Sequence, residues 1–411
     1  MPASPFNRNF PGPVPRPAAA GWRSSAAVAA VWFAVSVTAG ADPRVPADDA
    51  EVLETLPRVL FHARDELAGL KDALAQHPDD VDAATRLAGY YVQIGKRESD
   101  PRFYGFARAT LAPWWERDDA PAAVLKLRAK LKERDHDYAA AREDLARVLD
   151  KAPDDGQALI ETANLHWVQG RYADARAVLE RLDALADPFA AAFARIPLDA
   201  VTGRADAAYA DAKAMRTDAS ARGADAVQWV HAMSAEIARA LGDDDAAARH
   251  FRAGLADDPG DLYLLRGFAD LMLDQGRGAE ALPILRDHLA DTGVLLRAAI
   301  AARQSGAAED LAVWRDRLAR RFDEIHRRGG TPHGRYESRF LLEIEDQPAE
   351  ALRVARENWQ LQRQHRDTRN LLEAALAAGD SAAAAPAVAF LREHGTQDAV
   401  LQPLIDRLEA P

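Results

Sequence analysis

A period of 34 residues constrains the fold of this chain more than any other feature of its sequence. Five residues in one segment return 34 positions later as the same residue type, in the pairs Leu125 and Leu159, Ala129 and Ala163, Tyr138 and Tyr172, Ala141 and Ala175, and Leu145 and Leu179. A second pair of segments repeats at the same shift, because Ala235, Gly242 and Ala247 are followed by Ala269, Gly276 and Ala281. Two independent matches of one period predict tandem copies of one structural unit.

Each copy is typical of two amphipathic helices joined by a short turn. Leu265, Phe268 and Met272 recur at helical spacing, Gly276 follows at the turn, and Ala281 opens the next apolar face. Alanine at a helix crossing lets the two backbones approach closely, which gives the repeated small residues a packing role. No strand-like alternation competes, so the prediction is an all-α fold that buries its apolar surface between neighbouring units.

The order of small, glycine, aromatic and large apolar residues resembles the tetratricopeptide repeat family. The matching residues in one copy are Ala163, Gly170, Tyr172, Ala175 and Leu179. The resemblance implies a right-handed α-solenoid of stacked helix-turn-helix repeats over residues 78–411. It also implies nine units, whose turn corners are expected at Gly95, His136, Gly170, Gly203, Gly242, Gly276, Gly306, Asp346 and Gly379. We expect an irregular break in this array near residues 320–336.

The N-terminal 41 residues have the pattern of a secretory signal peptide. Arginines without acidic residues precede the apolar run AAVAAVWFAVSV, and Ala39, Gly40 and Ala41 suit a cleavage site. We therefore expect export, to a periplasm, with no membrane span left after cleavage. An uncleaved N-terminal anchor is the alternative. The combination of DDAEVLETLP, DPRFYGFARATLAPWW and the later repeats also resembles a group of exported proteobacterial repeat proteins, and this resemblance names no substrate.

Residues 42–77 are predicted to be an acidic linker that leads into a helix capping the first repeat. A terminal repeat needs such a cover because its outward apolar face has no neighbouring unit. An exposed docking segment is the alternative for the acidic run.

Charge and motifs disfavour several classes of function. The formal net charge is −12, and loss of residues 1–41 would remove three arginines and no acidic residue, so a nucleic-acid ligand is not expected. The chain has no cysteine, which excludes disulfides. It also lacks phosphate-loop, zinc-protease, nucleophile-elbow and metal-ligand motifs. We therefore expect no catalytic residue, cofactor or metal site, and an enzyme assembled across repeats ranks third among the hypotheses.

The family resemblance also implies where a partner would bind. In that family, ligand contacts come mostly from first-helix positions that line the concave face. Carried onto this chain, these positions are Lys126, Lys130, Asn164, Trp167, Glu236, Arg239, Arg266 and Asp270. We expect this face to bind a protein or peptide, and a merely solvated side chain is the alternative at each position. Lys130 departs from the family's carboxylate-clamp pattern, which places doubt on recognition of a free peptide C-terminus.

An arginine-rich patch supports an alternative function. Its members are Arg317, Arg320, Arg321, Arg327, Arg328 and Arg335, close to Gly329 and Gly330. Such a patch on an acidic protein suits an anionic small molecule or polysaccharide. A charged helix end, with arginines near the last carbonyl groups, explains the same residues without a ligand.

Overall fold

The structure is a computed structural model that describes residues 64–185, 187–327 and 334–410. The expected signal peptide, the acidic run before residue 64, and Arg328, Gly329 and Gly330 of the arginine-rich region lie outside the described residues. Within the described ranges, all regular secondary structure is helical.

Nine helical hairpins follow one another along the described chain. The helices, in chain order, are α1 (Arg64–Gln76); the pair α2 (Val81–Arg97) and α3 (Arg102–Thr110); the short α4 (Ala112–Trp115); the pairs α5 (Ala122–Arg134) and α6 (Tyr138–Lys151), α7 (Gly156–Val168) and α8 (Tyr172–Asp183), and α9 (Pro188–Val201) and α10 (Ala205–Ala214); the short α11 (Arg216–Arg222); the pairs α12 (Ala224–Ala240) and α13 (Asp244–Asp257), α14 (Leu262–Asp274) and α15 (Gly278–Leu285), α16 (Thr292–Ser305) and α17 (Ala308–Arg327), α18 (Gly334–Glu343) and α19 (Pro348–Leu361), and α20 (His365–Ala378) and α21 (Ser381–Glu393); and α22 (Gln402–Glu409). The prediction of an all-α solenoid of stacked hairpins is confirmed.

Eight of the nine expected corner residues have a positive φ, from 54° at Asp346 to 79° at Gly242. A residue in this left-handed conformation ends a helix, and glycine adopts it without a Cβ penalty. The prediction is wrong at Gly95, which lies inside α2, while Ser99 with φ 52° takes the corner. A Cβ at Gly95 would lie 2.9 Å from the Tyr104 ring, so this glycine serves close helix packing instead.

The last two hairpins and α22 fold back onto the middle repeats. One apolar cluster contains residues of α7 to α12 together with residues of α19 to α22. The Arg363 amide donates to the Val168 carbonyl over 2.8 Å, and the Ala399 amide donates to the Ala240 carbonyl over 2.8 Å. The inner face of the middle repeats is therefore covered in part by the chain's own C-terminal region.

The expected break near residues 320–336 does not include residues 320–327. Helix α17 continues without interruption to Arg327, and α18 begins at Gly334. The remaining residues, 328–333, lie outside the described ranges, so an irregular connection there stays a prediction.

Candidate ligand-binding cleft

The first helix of each middle hairpin presents charged side chains toward the C-terminal hairpins. Asp270 and Asp274 lie one turn apart on α14. Arg339 of α18 lies 2.7 Å from Asp270, measured from Nη1 to Oδ1. Arg369 of α20 lies 2.6 Å from Asp274, measured from Nη2 to Oδ1. Arginines of the last two repeats thus neutralise acids on the inner face of the middle repeats.

Four of the predicted partner-binding residues belong to this network or border it. Glu236 accepts from Arg366 over 2.6 Å, and Arg239 pairs with Asp274. Arg266 and Asp270 are also buried: Arg266 lies 2.9 Å from Asp291, and Asp270 lies 2.5 Å from Arg297. Arg239, Arg266 and Asp270 are therefore committed to ion pairs within the chain, and contact between them and a partner stays a prediction.

The other four predicted residues lie on α5 and α7. Lys126 and Lys130 pair with Asp155 and Glu161, each over 2.7 Å. Asn164 is buried and donates to Glu133 over 2.9 Å. Trp167 is partly buried and lines the cleft described below. Contact between any of these residues and a partner stays a prediction.

Burial and charge act in opposite directions on the acids of this network. Burial alone would raise the pKa of Asp270, but Arg297, Arg339 and Arg366 outweigh it and hold that pKa well below its usual range. The pKa of Asp274 is also lowered, because Arg369 and Arg239 outweigh its burial. Both carboxylates therefore stay charged and hold the C-terminal region against the repeats.

A cleft of about 130 Å³ remains between the inner face and the C-terminal region. One wall is mainly apolar and comes from four successive first helices. Its members are Trp167 of α7, Pro197, Ala200 and Val201 of α9, Met233 and Ile237 of α12, and Tyr263 of α14. Ligand pockets in proteins are lined mostly by apolar and aromatic side chains. The lining of the cleft has this character.

The C-terminal region supplies the polar side of the cleft. The loop between α21 and α22 is attached to the repeats, since the Thr396 hydroxyl donates to the Val201 carbonyl over 2.6 Å. His365 Nδ1 lies 2.5 Å from Asp398 Oδ2 in the same lining. Burial would raise the pKa of Asp398, but the contact with His365 outweighs it and lowers the pKa. This polar side is therefore a fixed part of the fold.

A smaller cavity of about 20 Å³ adjoins the cleft and is rich in arginine. Its charged lining contains Asp270 and the arginines Arg239, Arg297, Arg335, Arg339, Arg366 and Arg369. Arg239, Arg335, His365 and Arg366 line both spaces. The two spaces therefore share a charged boundary.

The predicted arginine patch is not a single exposed surface. Arg335 is buried, and its Nε atom lies 3.0 Å from Asp367 Oδ1. Arg321 donates to Thr292 Oγ1 over 3.0 Å and to the Leu289 carbonyl over 3.3 Å. Arg320 and Arg327 are exposed on α17, Arg317 is partly buried there, and Arg328 lies outside the described residues. Arg335 therefore leaves the predicted patch and belongs to the cleft.

Sequence reasoning did not identify Arg339, Arg366 and Arg369 as site residues. They lie on first helices of the last two repeats, where the periodic pattern predicts them as ordinary polar positions. Their partners Asp270, Glu236 and Asp274 are 69, 130 and 95 residues away along the chain, so no local sequence pattern predicts these contacts.

Among the described residues, no group of three or more His, Asp or Glu side chains is arranged to hold a metal ion. In the same part of the chain, no helix is both long enough and apolar enough to cross a membrane.

One segment of the solenoid matches a known repeat family. Residues 134–196 match the family model described as Tetratricopeptide repeat. This segment runs from the end of α5 through most of α9, and it contains the corners His136 and Gly170. No curated protein matches the sequence.

Three solved structures are similar to this chain at low identity. A tetratricopeptide repeat protein from Parabacteroides merdae is 18% identical, with 56% of this chain and 92% of that chain covered and a TM-score of 0.39. The human IFIT1 dimer with m7Gppp-AAAA is 11% identical, with coverages of 82% and 78% and a TM-score of 0.49. A Rap protein complexed with Competence and Sporulation Factor is 10% identical, with coverages of 85% and 94% and a TM-score of 0.47. At these scores the similarities carry no argument about ligands.

Proposed function

This chain is a tetratricopeptide repeat protein, and we propose that it is a non-catalytic binding scaffold whose cleft holds a short segment of a partner protein. Stacked repeats present a surface that is already ordered before binding, so little conformational entropy is lost when a ligand docks. The charge-based expectation against nucleic acid stays a prediction.

The observation that carries this proposal is the apolar wall of the cleft. Trp167, Val201, Met233 and Tyr263 come from four consecutive repeats and line one space. A partner side chain that enters this space exchanges water for aromatic and aliphatic contacts, and each buried apolar side chain of Leu or Phe size contributes about 1.5 to 3 kcal/mol. This chemistry suits a short peptide segment with one or two large apolar residues.

The fold-back limits the length of the segment. An extended peptide that follows all eight predicted inner-face residues would have to break the buried pairs of Arg239, Arg266 and Asp270. Breaking a buried pair by removal of one partner costs about 3 to 5 kcal/mol. A segment of a few residues in the cleft leaves those pairs intact.

Export is part of the proposal and rests on the pattern of residues 1–41. The mature protein would begin after Ala41 and work in the periplasm or an equivalent compartment. Sequencing the N-terminus of the protein isolated from its own cells tests this point. A start at Met1 together with membrane association would support the anchor alternative instead.

The decisive experiment fills the cleft. Val201→Trp places a larger side chain in the lining, and Val313→Trp makes the same change at an exposed position of α17, where the native side chain is 62% exposed. Both variants and the wild type are crosslinked in the native envelope fraction. The captured proteins are identified by mass spectrometry, and each is then titrated as a purified protein against the three chains.

We expect a captured protein to bind the wild type and Val313→Trp equally and to lose at least tenfold in affinity for a still-folded Val201→Trp. Competition by a short peptide from that protein would locate the bound segment. Binding that is indifferent to Val201→Trp would overturn the cleft as the binding site.

A further inference from the structure

We infer that the imidazole of His365 is the hydrogen-bond acceptor of the cleft, which takes a backbone N–H group of the bound segment, and that Asp398 positions this imidazole. The inference rests on the proposed function, because it names the polar chemistry of the segment that the cleft holds. The ligand class is a peptide with an N–H group next to its large apolar side chain. An ester bond at the same place lacks the donor and does not fit.

The carboxylate of Asp398 is held at both of its oxygen atoms. Oδ1 accepts the Val400 amide over 2.9 Å and the Leu401 amide over 3.2 Å. Oδ2 lies 2.5 Å from His365 Nδ1. Leu401 is 1% exposed and packs in the apolar cluster that the middle repeats share with the C-terminal region. The backbone just before α22 therefore fixes the carboxylate against one particular ring nitrogen.

This contact leaves the second ring nitrogen of His365 for a ligand. The Nδ1–H group donates to Asp398, so the neutral ring carries its lone pair on Nε2. In the described part of the chain, Nε2 has no hydrogen-bond partner and is not enclosed by other atoms. The His365 side chain is 26% exposed and lines the cleft. At Nε2 the neutral ring can therefore accept a hydrogen bond from a ligand.

Other polar groups in the cleft lining are engaged within the chain or are held by no hydrogen bond. The arginines of the lining form the pairs Arg366 with Glu236, Arg239 with Asp274, and Arg335 with Asp367. The Gln364 side chain caps α20, and the Thr396 hydroxyl donates to a carbonyl group. Gln397 is exposed, and among the described residues no hydrogen bond positions its side chain. His365 combines a fixed orientation with an unused acceptor atom.

The apolar wall makes this acceptor selective. Trp167, Ile237 and Tyr263 line the same space as His365 and replace water around a bound segment. A peptide N–H group that leaves water needs a protein acceptor, because an unpaired buried donor costs more free energy than one hydrogen bond contributes. Nε2 supplies that acceptor. An ester oxygen at the same place would bring a second lone pair toward Nε2 and leave both atoms without a proton to share.

The test compares a peptide with its matching ester. The peptide is an acetylated and amidated pentapeptide of alanine with Phe at its centre, and phenyllactate replaces Phe in the ester, so one N–H group becomes an oxygen atom. Both are titrated at pH 8 against the full chain with isotope-labelled histidine, and NMR follows the ring nitrogens. His365→Gln assigns the His365 resonances by their loss. We expect the peptide to bind about threefold to tenfold more tightly than the ester and to shift the Nε2 resonance.

The Asp398→Asn variant tests the positioning role. Oδ1 still has to accept the two backbone amides, so the new side-chain NH₂ group faces His365 and donates to Nδ1. The proton of the ring then lies on Nε2, which is no longer an acceptor. We expect the preference for the peptide over the ester to disappear and the Nδ1 and Nε2 resonances to exchange positions. As a control, Gln397→Ala removes a neighbouring polar side chain of the lining and should bind both compounds like the wild type.

The outcomes separate this inference from the proposed function. Equal binding of peptide and ester, or an Nε2 resonance that neither compound shifts, overturns the acceptor role even if a partner protein still fills the cleft. A preference for the peptide that survives in Asp398→Asn overturns the positioning role of Asp398. A preference with an Nε2 shift, together with partner binding that ignores Val201→Trp, supports the acceptor and overturns the partner-binding role. If Asp398→Asn does not fold, the peptide–ester ratio and the Nε2 shift of the wild type decide.

Discussion

Arg366 on α20 and Glu236 on α12 are separated by 130 residues, yet the Arg366 Nη2 and Glu236 Oε1 atoms lie 2.6 Å apart. Asp270 of the neighbouring repeat lies 3.8 Å from Arg366 Nε. Arg366 therefore connects two middle repeats to the C-terminal region at the edge of the cleft.

We expect a double-mutant cycle on this pair to give a coupling free energy of about 1 to 3 kcal/mol, because both groups are largely shielded from water. The single changes are Glu236→Gln and Arg366→Gln, and urea unfolding of the four chains gives the free energies. The exposed pair Glu350 and Arg353 serves as control, with an expected coupling of about 0 to 1 kcal/mol. Equal coupling in the two cycles would show that the fold-back adds nothing to the Arg366 pair.

Gly170 provides a steric test of the fold-back. Its φ is 72°, and a Cβ would lie 2.7 Å from the Phe390 ring and 2.9 Å from Arg363 Cδ. Gly276 has φ 69°, and a Cβ added there would have nothing within 4 Å, so this position isolates the backbone cost. We expect Gly276→Ala to lower the free energy of unfolding by about 1 kcal/mol and Gly170→Ala by about 2 to 4 kcal/mol, since overpacking adds about 1 to 3 kcal/mol. Chemical denaturation measures both values, and equal losses would contradict the close approach of Phe390.

Partly buried histidines predict a dependence of stability on pH. Burial, reinforced by neighbouring positive groups, lowers the pKa of His136, His166 and His250 to about 4. The unfolded chain therefore binds more protons than the folded chain between pH 6.5 and about 4. Their contribution to stability is fully present above pH 6.5 and is lost as the pH falls toward 4. Unfolding free energies measured across this range should decrease, and His250→Gln should make the decrease shallower. If the decrease in unfolding free energy with falling pH is equally steep in His250→Gln, the pKa of His250 does not change on folding.

Local pattern predicted the hairpins well because the information lies within a few turns of helix. Amphipathic spacing identifies the two helices of a unit, and the corner between them needs a residue that tolerates positive φ. His136 and Asp346 take that conformation at the positions where the period places a corner, although neither is glycine. Gly95 misled the prediction because a glycine required for contact with Tyr104 looks the same in sequence as a glycine required for a turn.

The candidate site was predicted only in part. Trp167, Glu236 and Arg239, which the family resemblance selected, line the cleft, and binding of a partner to them stays a prediction. The same reasoning missed Arg339, Arg366 and Arg369, and it placed Arg335 in an exposed patch. A periodic pattern describes each repeat relative to its neighbours. It does not predict which distant repeat a given repeat contacts.

The sequence by itself determined an all-α chain, its 34-residue hairpins and most of their corners, because helix amphipathicity and backbone sterics act over short stretches of chain. Only the tertiary structure decided that the last repeats fold back and that an apolar cleft remains beneath them. It also decided that arginines line the smaller cavity next to this cleft. The physical reason is that small rotations between successive repeats accumulate along a solenoid. Their sum, rather than any local motif, brings Arg366 to Glu236 and Phe390 to Gly170.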